Sequence, residues 1–200
     1  MKGSLIILSF FVVGIILGFS RFLPELLIEN DYSMYALYAL MLFVGISIGA
    51  DTSALSVIKK VKYKILLVPA VVIIGSLLGA FAVSFFLPYK LNELFGVASG
   101  FGYYSLSSLI LKDICGAEIA TLALLSNIFR EVGTLLLAPL MAIAFGKLAP
   151  IASGGATAMD STLPIVITAS GKEYAMISVF SGIVLTILVP FLVPLVVELF

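Results

Sequence analysis

Seven apolar stretches separated by short charged breaks constrain this chain more than any other feature. They run at about 4–20, 33–50, 65–87, 94–111, 118–145, 151–170 and 174–197. A helix of roughly 20 apolar residues crosses the hydrocarbon core of a bilayer, and water is not there to satisfy an open backbone. Apolar residues make up 62% of the chain, against roughly 45–50% in a soluble domain. A soluble core of this size cannot hide that excess, so it faces lipid. The expected fold is all-α: a polytopic membrane helix bundle with five to seven crossings, seven preferred. No long polar linker interrupts it, so residues 1–200 are read as one transporter-sized domain. Residues 1–64 hold two spans and a lysine-rich loop, and 65–200 form a five-segment unit. The first stretch follows Lys2 like a signal peptide, but Arg21-Phe22-Leu23-Pro24 is a poor cleavage site, so it is read as a span.

Composition removes several chemistries. There is no His, so His-based nucleophilic triads and His-ligated metals are excluded. Cys115 stands alone, which rules out an internal disulfide or thiol metal cluster. Eleven basic residues balance eleven acidic ones, leaving no excess for nucleic acid. No phosphate-binding loop is present, and no cofactor is expected. Translocation remains, with an intramembrane carboxylate hydrolase as the enzymatic rival; that chemistry needs two paired acids.

Orientation follows from the basic residues. Lys59, Lys60, Lys62 and Lys64 cluster after the second stretch, placing that loop and the N-terminus in the cytoplasm and the C-terminus outside. With seven crossings, Lys2, these four, Lys112 and Lys172 lie inside, while Arg21, Lys90 and Lys147 lie outside. Making 94–111 and 151–170 re-entrant leaves five crossings and exchanges Lys112 with Lys147, so charge does not choose between the two topologies. Gly14 and Gly18, Gly45 and Gly49, Gly75 and Gly79, and Gly96 and Gly100 each stand four apart. That spacing clears a helix face for close packing.

The informative residues are polar groups at membrane depth. Asn127, Arg130, Glu131 and Thr134 lie at i, i+3, i+4 and i+7 of the fifth stretch. They form one polar stripe that must face protein or water. Arg130 and Glu131 are read either as a structural pair tying helices together or as site residues. In 151–170, Gly154, Gly155 and Pro164 oppose a continuous helix. A broken helix restarting near Pro164 is predicted, capped by Thr162 or Leu163. Asp160 would then precede a helix N-terminus near the midplane, where an ionised carboxylate makes a cation site; an ordinary capping Asp is the alternative. Gly100, Gly102, Tyr103, Tyr104, Ser105, Ser107 and Ser108 give 96–111 a flexible, hydroxylated character. They would line a polar path, or the tyrosines would sit in the interfacial belt.

Three phrases, SGFGYYSLSS (99–108), NIFRE (127–131) and GATAMDSTLP (155–164), together resemble the lysine exporter family of the LysO type in wording, order and spacing. The resemblance runs over nearly the whole chain. It implies a bacterial inner-membrane secondary transporter that exports L-lysine and its toxic analogues, with a loose likeness to inverted-repeat cation/proton antiporters. It places the family's intramembrane acid on Asp160 and its Arg-Glu pair on Arg130 and Glu131. Asp160, with Glu131, is then expected to hold a substrate ammonium group. Thr162, Ser105 or Asn127 would take the carboxylate, with Arg130, Ser161 and Tyr104 around the site. A proton or another ion would drive exchange. Full-length members carry further N-terminal spans and another important acid. The resemblance therefore implies either the longer half of a split exporter, with a small membrane subunit as partner, or a fragment of a longer exporter; homo-oligomerisation is also open.

The lysine bias makes a direct prediction. In a Cys115→Ser background, Lys60→Cys is shielded from impermeant maleimide in intact cells and labelled in inverted vesicles.

Overall fold

The computed structural model describes residues 65–199, together with residues 9, 12–14, 16, 17, 19, 20, 42 and 46. The lysine-rich loop and most of the first two predicted spans lie outside the described residues. Among the described residues from 65 onward, seven α-helices run in order: α1 (Leu67–Ser84), α2 (Leu91–Ala98), α3 (Tyr104–Cys115), α4 (Ala117–Phe145), α5 (Ala149–Gly154), α6 (Leu163–Ser170) and α7 (Ala175–Leu199). Short 3-10 turns at Gly155–Met159 and Lys172–Tyr174 link α5 to α6 and α6 to α7. Among the described residues, α1, α4 and the Lys172–Leu199 segment are long and apolar enough to cross a membrane.

The other two predicted segments, 94–111 and 151–170, are each two helices rather than one. The first breaks between Ala98 and Tyr104, the second between Gly154 and Leu163. The order is therefore long, broken, long, broken, long. Pro164 sits in the first turn of α6, where its missing N–H costs nothing.

The long helices α1 and α7 expose apolar side chains on one side and pack against protein on the other. On α1, Leu67, Val71, Ile74, Leu78 and Phe81 are exposed at alternating spacings of four and three. On α7, Ser178, Leu185, Val189, Val193 and Val196 are buried, while Ile183, Ile187, Phe191 and Leu195 face outward. An inverted arrangement, apolar outside as well as inside, belongs to a protein solvated by hydrocarbon. The main core joins Val97, Phe101, Leu111, Ile119, Ala123 and Ala156 to the inner stripe of α7. At the ends, the Tyr89 hydroxyl donates to Glu118 Oε1 at 3.0 Å. That bond to a carboxylate holds the exposed phenol above its usual pKa.

The two interruptions meet. Ala156 N donates to Phe101 O at 2.8 Å across them. A Cβ on Gly155 would collide with that same Phe101 carbonyl, and Gly155 has φ +63°. A Cβ on Gly102 (φ +99°) would lie 3.1 Å from Gly154 O. Both glycines thus serve left-handed backbone and close approach together. Phe101, at φ 47°, accepts the same region without that freedom; its fully buried side chain in the core compensates for the strain. Gly96 and Gly100 pack tightly, against Val197, Leu111, Ser107 and Asn127. Among the described residues, nothing lies within 4 Å of the Cβ positions of Gly75 and Gly79.

Gly155→Ala is expected to cost at least about 2 kcal/mol, through left-handed strain plus the carbonyl clash. Gly116→Ala, also at positive φ but in open space, should cost about 1 kcal/mol. Thermal unfolding in detergent compares them.

Candidate functional site

A helix broken inside a membrane leaves backbone groups without partners, and the groups that supply them here come from α4. Asn127 is buried and serves both sides of the first break. Its Oδ1 accepts from Gly102 N at 2.7 Å. Its Nδ2 donates to Val97 O at 3.3 Å and to Ala123 O at 2.9 Å. The side-chain amide thus satisfies an orphan donor beside the start of α3 and a carbonyl at the end of α2.

Arg130, one turn further on, serves the second break. Its Nε donates to Ser153 O at 2.8 Å, its Nη2 to Ala152 O at 3.0 Å and its Nη1 to Ser76 Oγ of α1 at 3.0 Å. These partners are neutral, so among the described residues the structural-pair alternative for Arg130 and Glu131 is not what the geometry shows. Thr134 completes the stripe: its Oγ1 lies 2.7 Å from Ser153 Oγ. Asn127, Arg130 and Thr134 therefore share the face of α4 that holds the two broken helices.

Glu131 turns elsewhere. It is the middle residue of α4 and lines a cavity of about 560 Å³ with Asp160, Ser161, Tyr103, Tyr104 and Ser105. That volume lies within the roughly 300–1,000 Å³ of small-molecule sites. Gly102, Ala156 and Thr157 contribute the wall where the breaks meet, and Met159 and Thr186 close another side. Asp160 is held by its own turn, its Oδ1 accepting from Ser161 N at 2.5 Å. The cavity thus brings together two half-buried acids, a serine and a phenol. Oxygen groups of this kind are able to coordinate a small cation.

The residues singled out from sequence separate into two groups. Asp160, Glu131, Ser161, Ser105, Tyr104 and Gly102 line the cavity. Asn127, Arg130 and Thr162 stand behind it. Thr162 is fully buried, and its Oγ1 lies 3.4 Å from Thr157 Oγ1. It occupies the N-cap position of α6 without a side-chain cap bond. Gly154 and Gly155 mark the end of α5, and Gly100 and Gly102 fall in the first break. The sequence did not single out Thr186, Met159 or Ser76. One hydroxyl in an apolar helix usually bonds its own backbone, so Thr186 and Ser76 carried no signal. Among the described residues no group of three acidic or sulfur side chains converges as a metal cage.

Asn127→Leu is expected to strand Gly102 N without an acceptor and cost about 1–3 kcal/mol. Asn127→Asp keeps that acceptor but sets a second oxygen against the Val97 and Ala123 carbonyls. It should therefore recover part of the loss only at low pH, where the protonated carboxyl donates again; unfolding midpoints in detergent measure both.

A family model described as "Lysine exporter LysO" matches residues 8–197. A "Putative lysine exporter" of Haemophilus influenzae is 33% identical over 186 residues, covering 93% of this chain and 94% of that protein. "Lysine exporter LysO" of Escherichia coli is 31% identical over 182 residues, covering 91% of this chain and 60% of that protein. No solved structure matches the chain significantly.

Proposed function

The chain belongs to the lysine exporter LysO family, and on that premise we propose that it exports L-lysine through the cavity between α4 and the second helix break. It is a membrane-embedded amino-acid exporter, not an enzyme. The observation that carries the lysine reading is the pairing of Asp160 with Glu131 in one cavity, Glu131 at the centre of a membrane-length helix. A carboxylate at that depth is expensive unless it has a job and a partner.

In this reading the two acids hold the side-chain ammonium group of lysine, with Ser161 and Tyr104 adding neutral hydrogen-bonding groups. The aliphatic stem lies along Met159 and the tyrosine rings. The α-carboxylate turns toward the first turn of α3, where Ser105 and the positive end of the helix dipole favour an anion. Lysine analogues that keep the terminal ammonium share the route. On the return half-cycle a proton takes the place of lysine on the acids, which makes the exchange an antiport. The two broken helices, meeting at their interruptions between long helices, support an inverted-repeat transport mechanism with the site near the midplane. In the same reading the chain sits in the bacterial inner membrane with its N-terminus in the cytoplasm and its C-terminus outside.

Asp160→Asn removes one charge from the ammonium site. A hydrogen bond to a charged group contributes about 1.5–3 kcal/mol, so the variant should lose roughly 10- to 150-fold in lysine affinity. Labelled-lysine transport in proteoliposomes measures it, with membrane insertion checked in parallel. Full lysine transport by Asp160→Asn overturns the cation site, and preferential transport of organic anions overturns the substrate.

A further inference from the structure

In an uninterrupted α-helix Ala156 N would donate back to the carbonyl of Ala152. Here it donates to Phe101 O instead, and the Ala152 carbonyl is left to a side chain. Arg130 fills that vacancy with Nη2 and takes the next carbonyl, Ser153 O, with Nε. We propose that Arg130 is a positioning residue for the carboxylate site: it clamps the end of α5 to α4 and thereby sets where Asp160 stands relative to Glu131.

The clamp and one of the acids are consecutive residues of the same helix, so α4 holds both at a fixed separation. The other acid follows the clamped carbonyls by a single 3-10 turn, Gly155–Met159. That turn is pinned from behind by α7. Ser178 Oγ donates to Ala158 O at 2.6 Å, and a Cβ on Gly182 would lie 2.8 Å from Ala156 O. The segment between clamp and acid therefore has little slack, and a shift at Ser153 is passed on to Asp160. Arg130 does not line the cavity of the two acids; it reaches Ser76 on α1 instead. Its action on the site runs through backbone. Arginine suits the task because its planar fork serves adjacent acceptors in fixed directions. Lysine offers only a point charge, and glutamine at most two donors.

The transport half of this inference rests on the proposed lysine export; the clamp itself does not, and the experiment separates them. Thr134 Oγ1 and Ser153 Oγ are 2.7 Å apart. The pair Thr134→Cys and Ser153→Cys, in a Cys115→Ser background, therefore reports how closely α5 is held to α4. Arg130→Gln is expected to slow oxidative crosslinking of that pair at least fivefold. In proteoliposomes, without the cysteine pair, it is expected to raise the KM for lysine at least tenfold. Arg130→Lys, which keeps charge and some donors, should fall between Arg130→Gln and the parent in both measurements. Where Arg130→Gln does not accumulate, Arg130→Lys alone decides by the same signs. Unchanged crosslinking overturns the clamp, whatever transport does. Slower crosslinking with an unchanged KM and only a lower maximal rate reduces Arg130 to a stability role and overturns the positioning. A parent chain that moves no lysine overturns the proposed export, while the crosslinking comparison still decides the clamp.

Discussion

Hydrocarbon offers nothing to a bare amide, and this structure contains two places where helical backbone is interrupted between membrane-length helices. Much of the architecture around α4 answers that demand. The breaks are set against each other so that Ala156 N finds Phe101 O. Asn127 takes an amide and a carbonyl of the first break, and Arg130 takes two carbonyls of the second. An unsatisfied buried amide costs about 1–3 kcal/mol, so these bonds decide whether the breaks are tolerable.

Satisfying the backbone by side chains from a single helix has a further consequence. The polar stripe of α4 cannot be moved without disturbing both breaks, because Asn127, Arg130 and Thr134 each hold backbone or side chains of another segment. Glu131, next to Arg130 but turned to a different side, is carried into the cavity on that rigid support. Asp160 arrives from the second break, and Tyr104 and Ser105 from the start of the helix after the first. The cavity is thus built from both interruptions and the helix that secures them. Its acids owe their position to bonds made by their neighbours.

Close packing supplies the rest. Gly155 allows the two breaks to touch, and Gly182 lets α7 lie directly on the turn that carries Met159 and Asp160. Gly96 and Gly100 do the same for α2 and the first break. The Gly75–Gly79 spacing on α1 looks alike in sequence, yet those residues border open grooves beside Ser76 and Arg130. Four-residue glycine spacing shows that close approach is possible on that face. It does not say which neighbour approaches.

Membrane residence was legible in the amino-acid sequence, because the apolar excess has no other solvent that would accept it. So was the break near Pro164, because a glycine pair and a proline oppose helical geometry wherever they stand. The stripe on α4 was legible too, since 3.6-residue periodicity places those side chains on one side of any helix. Its division of labour was not. Helical spacing cannot tell that Arg130 turns to carbonyls 22 and 23 residues away while Glu131 turns to the cavity, nor that Thr186 of α7 joins the same wall. Local preference is set by each residue's own backbone and side chain. Which distant group meets an orphan carbonyl is settled only when every helix has found its place.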